Sequence, residues 1–465
     1  MESARWGRGA RLGAVALAAW IAFGPAVARA EADSDTQELR QRLEALEQET
    51  ATLKRKLEVK EEAETAKAKD TPVIGAGRDG FYLKSADGKN VLRIRGYTQA
   101  DFRAFGEGSR TNPSTFAFRR VRPIFEGTVS EYVDFKIMPD FAGNSITLFD
   151  AYANIRYFEQ AQLLVGKFKP PVGLERLQSA TALMFMERSF PTLLVPSRDL
   201  GIQLHGQFGE GLIAYQVGVF NGAIDNSANF NGDLAAVNAK EVAARIFTHP
   251  FKNADWEFAR GFGVGLAATY QDPNTSLESL RFRTAGQQTF FRYNPATVTG
   301  LPGAVNVEGA QYRVSPQAYF YYGPFGLMTE YVLENERLVR GGASTFATNE
   351  AWQASFSYVL TGENASYRGV VPRSPVALGG DGWGAWELAA RAHQIKFDSD
   401  IFPLYANPTT SAKGAIAFTV GLNWYMNPNI KVVFNYERTA FNGGAPGNGN
   451  FETENAFLTR LQLAF

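Results

Sequence analysis

From residue 81 to the end of the chain, apolar and polar positions alternate in short runs, a period of two that belongs to strands with two differently solvated faces. The last run is the clearest: Phe457, Thr459, Leu461, Leu463 and Phe465 share one face, while Arg460 and Gln462 share the other. Val133, Phe135 and Ile137 oppose Asp134 and Lys136 in the same way. Such runs begin near residues 90, 115, 131, 146, 161, 199, 211, 239, 259, 311, 325, 349, 383, 412, 429 and 453, about sixteen in all. Their connections sort by parity. Those after the second, fourth, sixth, tenth and fourteenth runs are tight, as at Gly209-Glu210-Gly211, Tyr322-Gly323-Pro324 and Asn427-Pro428-Asn429, whereas 170–198, 222–238, 272–310 and 442–452 are long. An even strand count, turns at one end, loops at the other and one apolar face predict an all-β fold over residues 80–465. That fold is an antiparallel transmembrane β-barrel of about 16 strands. The connection 361–382 breaks the rule, being long where a short turn is expected.

The N-terminal part follows other periods. Arg5, Arg8 and Arg11 precede an apolar stretch over 12–27, and Ala28-Arg29-Ala30 offers small residues for cleavage, so residues 1–30 read as a secretory signal peptide. The stretch is shorter than the roughly 20 residues of a spanning helix, and Pro25 interrupts it. Residues 31–60 read as a charged helix with a heptad: Leu39, Leu46 and Leu53 occupy one core position, and Leu43, Thr50 and Leu57 the other. A lone helix of this kind is marginal in water, which favours a self-associating coiled coil in the periplasm. Residues 61–79 lose the stripe, contain Thr71-Pro72 and several glycines, and read as a linker.

Composition narrows the function. Lys plus Arg and Asp plus Glu number 47 each, which gives no case for a nucleic-acid partner. The absence of cysteine removes disulfides and thiolate metal sites. A soluble array of β-sandwiches would need neither an export signal nor parity-sorted loops.

A series of motifs resembles the phosphate-selective porin O and P family. It begins at Phe118-Arg119-Arg120 and continues through Phe149-Asp150-Ala151, Val165-Gly166-Lys167-Phe168-Lys169-Pro170, Gly173-Leu174-Glu175-Arg176 and Glu187-Arg188. Leu360-Thr361-Gly362-Glu363, Gly384-Ala385-Trp386-Glu387, Gly421-Leu422-Asn423-Trp424-Tyr425 and Arg460-Leu461-Gln462 follow in order. The resemblance implies a trimeric, sixteen-stranded outer-membrane channel whose constriction is lined by basic residues that receive anions, chiefly phosphate. It places Arg119, Arg120, Arg176 and Arg188 among those cations and Asp150 as a pore-lining carboxylate. Two positions depart from the pattern. Tyr97 stands where an arginine is expected before Gln99-Ala100-Asp101, and a lysine expected before Asn423-Trp424 is replaced near Ile416, with Lys413 the nearest cation. These losses weigh against phosphate selectivity more than against anion preference.

The residues themselves point the same way. Residues 170–198 form a long connection with four prolines, of the kind that lies on a surface or folds inward to narrow a lumen. Lys167, Lys169, Arg176, Arg188 and Arg198 face only Glu175 and Glu187 there, and Arg119, Arg120 and Arg122 lie on the second strand. Arginine stays charged and matches oxyanions with its planar fork, so such a ring suits anions. Some of these cations could instead brace the wall against acids. Strict alternation requires Arg119 and Arg120 to point to opposite faces. The expected partners are small anions, outer-membrane lipids, two further copies of the chain in a homotrimer and a cell-wall contact through the coiled coil; no cofactor is expected.

Other readings are weaker. An outer-membrane barrel lipase would need a Ser-based nucleophile signature, and GxSxG is absent around His205, His249 and His393. Gly75-Ala76-Gly77 with Gly80 follows no buried strand and opens no helix, unlike a dinucleotide loop. Asp225, Asn226, Asn229, Asn231 and Asp233 could bind Ca²⁺, although a polar outer loop accounts for them. A structural tether to the cell wall would share the barrel and the coiled coil but conduct nothing.

Overall fold

The computed structural model describes residues 28–77, 80–107, 113–143, 145–226, 240–298, 300, 303–377 and 379–465. They form two units divided after Thr71. The first contains one helix, α1 (Ala28–Asp70). Leu39, Leu43, Leu46, Leu53 and Leu57 are all more than half exposed on it. Most of the expected signal peptide, residues 1–27, lies outside the described residues. The helix extends ten residues past the expected end of the coiled coil, so 61–70 of the expected linker is helical. Its Glu, Ala and Lys residues are strong helix formers and need no apolar stripe to stay helical. Within the rest of the expected linker, Val73–Gly77 pairs with Gly80–Lys84.

The second unit is a closed barrel of sixteen strands: β1 (Val91–Phe105), β2 (Thr115–Val129), β3 (Val133–Asp140), β4 (Thr147–Phe158), β5 (Ala161–Phe168), β6 (Asp199–Phe208), β7 (Ile213–Phe220), β8 (Glu241–Thr248), β9 (Phe262–Gln271), β10 (Gln311–Tyr322), β11 (Phe325–Arg340), β12 (Ala343–Val359), β13 (Ala385–Lys396), β14 (Ala412–Tyr425), β15 (Ile430–Ala445) and β16 (Glu454–Ala464). Each is antiparallel to the next, and β16 closes on β1 with Gln462 opposite Gln99 and Arg460 opposite Asp101. Closure leaves no free edge, as a sheet in lipid requires. Strand β12 starts six residues before the expected 349. The turn at 341–342 is therefore two residues long, although it lies at the end where loops were expected. No described helix is long and apolar enough to cross a membrane; the chain crosses with strands.

Inside and outside are chemically distinct. On β14 the outward Phe418 and Val420 are more than half exposed, while Thr419 between them and Asn423 further along the same inward face are buried against the lumen contents. Outward aromatics stack across strands, as Trp386 and Trp424 do at 5.0 Å. Part of the lumen is plugged by an apolar cluster from two long connections, 272–310 and 397–411. Phe282, Phe290, Phe291, Tyr293, Phe397 and Tyr405 pack there with Phe190 and Leu194 of the 169–198 loop. Phe291 and Phe397 stack at 3.8 Å. The plug fills one side and leaves the passage against the wall that carries the arginines.

Candidate functional site

The loop 169–198 folds into the barrel and is tied down along its length. Gly173 opens its short α-helix, Leu174–Leu177, at φ +79°, a conformation that suits glycine. Glu330 of β11 accepts the backbone N–H groups of Leu174 at 2.5 Å and Glu175 at 3.3 Å. Further along, Asn423 of β14 donates to the Met184 carbonyl at 2.8 Å. Lys431 of β15 donates to Leu183 O, also at 2.8 Å, and Arg460 of β16 to Met186 O at 2.5 Å. From the opposite end of the barrel, the long connection 361–382 reaches up as well: Tyr367 Oη donates to Leu174 O at 2.6 Å. That contact gives the connection which breaks the parity rule a place in the lumen.

Two β-bulges set the opposite wall. In the pairing of β1 with β2, Gln99 faces Arg120 and Ala100 faces Phe118, so Arg119 is an extra residue. The alternation slips there, and Arg119 and Arg120 both turn inward. The expectation that they point to opposite faces is therefore corrected. A second slip, opposite Met138 and Pro139, leaves Phe149 unpaired beside Asp150. The Phe149 ring carries Arg122 at 3.7 Å on its face and Arg198 at 4.8 Å.

Two chambers meet at this point. One, of about 990 Å³, lies toward the tight turns and is lined by Lys136, Asp150, Lys169 and Arg368 among others. The other, of about 680 Å³, lies toward the long loops and is lined by Arg119, Arg120, Arg176, Arg188, Arg281 and Arg283. Arg122 and Arg198 line both, so they mark the narrowing.

The cations here fall into two kinds. Arg119, Arg122 and Arg198 sit on carboxylates: Glu187 at 2.6 Å, Asp140 at 2.7 Å and Asp150 at 3.1 Å. Asp150 also takes Lys136 at 3.5 Å. Burial alone would push the Glu187 carboxyl up, but Arg119, Arg120 and Arg460 outweigh it and hold the group well below the usual carboxylate range. Among the described residues, Arg120, Lys169, Arg176 and Arg188 have no carboxylate partner within ion-pair distance. Arg120 donates to the Gln99 amide oxygen at 2.6 Å. Lys169 donates to the carbonyls of Leu177 and Gln178 at 3.0 and 2.9 Å. Arg188 donates to those of Glu175 and Gln178 at 2.9 and 2.8 Å. Arg176 donates to the Thr192 carbonyl and, at 2.9 Å, to the Asn226 amide. Burial brings Arg188 down to about 10, which leaves it charged at neutral pH.

All six candidate residues thus gather around one passage, together with Arg122 and Arg198. Sequence reasoning missed Arg281 and Arg283 of the outer chamber, because nothing marks the 272–310 loop as folding inward. Of the two departures, Tyr97 does face the lumen, where its Oη accepts from Arg122 at 2.8 Å. Ile416 does not. It pairs with Gln394 on the outer face between the buried Ala415 and Ala417, so the lost lysine is not a pore position at 416. The Ca²⁺ reading also fails where it can be followed: Asp225 is bound by Arg313 at 2.7 Å and Asn226 by Arg176, while 229, 231 and 233 lie outside the described residues. The three histidines are far apart in the hydrogen-bond network. His205 pairs with Asn154, His249 with Tyr319, and His393 accepts from the Phe190 N–H.

Known proteins carry the same architecture. The solved outer-membrane channel DcaP of Acinetobacter baumannii has a TM-score of 0.52 at 12% identity, covering 82% of this chain and 99% of that one. OprB of Pseudomonas putida, solved at high pH, has a TM-score of 0.51 at 9% identity, covering 80% and 94%. Porin O of Pseudomonas aeruginosa is 24% identical over 428 residues, 83% of this chain and 91% of that protein. The model of the family "phosphate-selective porin O and P" matches residues 92–465. With its closed barrel and the inward-folded loop at its narrowing, this chain belongs to that family of outer-membrane porins and is a channel rather than an enzyme.

Proposed function

We propose that the constriction draws small anions through passively by means of four cations with no carboxylate partner: Arg120, Lys169, Arg176 and Arg188. The observation that carries this reading is that neutral oxygens fix each of them. An amide or carbonyl holds a guanidinium in place without cancelling its charge, whereas a carboxylate cancels most of it. Arg119 braces Glu187, and Asp150 braces Arg198 and Lys136, so these two residues shape the wall rather than set its charge. A tether to the cell wall would have no use for a charged passage between two chambers.

Phosphate is held less firmly than the family's description suggests. Tyr97 occupies the lumen where a further cation is expected, and a shallower site lets an ion leave as well as enter. Phosphate added to a chloride-conducting bilayer should reduce the current only at concentrations comparable to chloride. Block at concentrations a hundredfold lower would refute the shallow site. The chain assembles as a homotrimer in outer-membrane lipid, with residues 31–60 as a periplasmic coiled coil within reach of the cell wall. Residues 1–30 are removed on export; N-terminal sequencing of envelope protein should begin near Glu31, and an intact Met1 would contradict this.

A further inference from the structure

Helix α1 exposes its leucines at two core positions, and the charges beside them carry additional information. With Leu43, Thr50 and Leu57 at one core position and Leu39, Leu46 and Leu53 at the other, the flanking positions hold Arg40, Glu47, Lys54 and Glu61 on one side. On the other side they hold Arg42, Glu49 and Lys56. All are exposed in the single chain. Arg42 has Glu38 at 2.9 Å, one turn away on its own helix.

Flanking charges set the orientation of a coiled coil. If two copies run parallel and in register, each residue of the second set meets the residue five places on in the partner helix. The pairs are then Arg42 with Glu47, Glu49 with Lys54 and Lys56 with Glu61, all of opposite sign. If the copies run antiparallel with their leucines still matched, each set meets itself. Arg40 then faces Lys54, Arg42 faces Lys56, and Glu47 and Glu49 face their own counterparts. Every contact in that arrangement is repulsive.

We infer that α1 associates with a second copy of this chain in a parallel, in-register coil. The inference rests on the coiled-coil reading above and adds direction and register to it.

The chain has no cysteine, so single substitutions report without background. Leu39→Cys and Leu57→Cys are made separately in the full chain and oxidised in the membrane. Heat-modifiable mobility serves as the check that the barrel is folded. Each variant alone should cross-link to itself. In the antiparallel arrangement residue 39 lies beside 57, and the two positions are about 27 Å apart along one helix. A cross-link seen only when the two variants are coexpressed would therefore overturn the direction while leaving self-association standing. No cross-link in either experiment would overturn the coiled coil itself. Adding Glu47→Lys, Lys54→Glu and Glu61→Lys to Leu39→Cys should abolish its cross-link, and further reversal of Arg42, Glu49 and Lys56 should restore it. A cross-link indifferent to both sets would refute the charge argument.

Discussion

Replacing Arg120 and Arg188 together by glutamine removes two charges that no carboxylate balances and keeps side chains able to donate to Gln99 and to the loop carbonyls. A unit charge about 5 Å from a passing ion in water changes its energy by roughly 0.8 kcal/mol, about fourfold in local concentration. Chloride is enriched and potassium depleted by the same factor, so each cation removed should lower the chloride-to-potassium permeability ratio by about sixteenfold. The full effect needs low salt: the Debye length is about 30 Å at 0.01 M but only about 3 Å at 1 M. The control is Arg122→Gln with Asp140→Asn, which removes an ion pair of 2.7 Å at the same narrowing and leaves the net charge unchanged. Reversal potentials of the three proteins are measured in planar bilayers under a KCl gradient at low and high salt. The glutamine pair should lose most of its anion preference at low salt, and the control should keep its own even if its conductance changes. An unaltered ratio in the first variant, or an equal loss in both, would refute the division of the cations into balanced and unbalanced.

Three other perturbations probe the same architecture. Glu330→Ala removes two hydrogen bonds to the start of the constriction loop, each to a carboxyl acceptor and worth about 1.5–3 kcal/mol; single-channel recordings should show larger, noisier openings with normal heat-modifiability, and a wild-type trace would show that the loop does not depend on this anchor. Tyr97→Arg restores a cation beside Arg122 and should lower the phosphate concentration needed for half-block at least several-fold; unchanged block would mean that residue 97 does not face the anion. Deleting residues 457–465 removes most of β16, which pairs with both β15 and β1, and should abolish heat-modifiable, membrane-inserted protein; normal insertion would contradict the closure.

Much of the barrel was legible because its environment is simple. Lipid on one face and water on the other impose a period of two, and nearly every strand starts within a few residues of its expected place. Strand β12 is the exception: its outward Ser344 and Thr348 are polar, so the alternation fades before the strand does. The two bulges were not legible. Gln99 opposite Arg120 and Ala100 opposite Phe118 are facts of register, and a sequence read by strict alternation must send Arg119 the wrong way. The same limit applied at Ile416, where parity within β14 decides which residue sees the pore. The gathering of basic residues near the 169–198 loop could be seen from their spacing. Which of them lose their charge to a partner could not, because Glu187, Asp140 and Asp150 reach them through loop and wall contacts.

The central claim is that unbalanced arginine and lysine charges make this passage prefer anions. It is tested most directly by the reversal potential of the unmodified, full-length protein in a planar bilayer under a tenfold KCl gradient at low salt. The account predicts a potential of the sign that favours chloride over potassium, shrinking as salt is raised. A potential near zero at low salt, or one of the potassium-favouring sign, would contradict it.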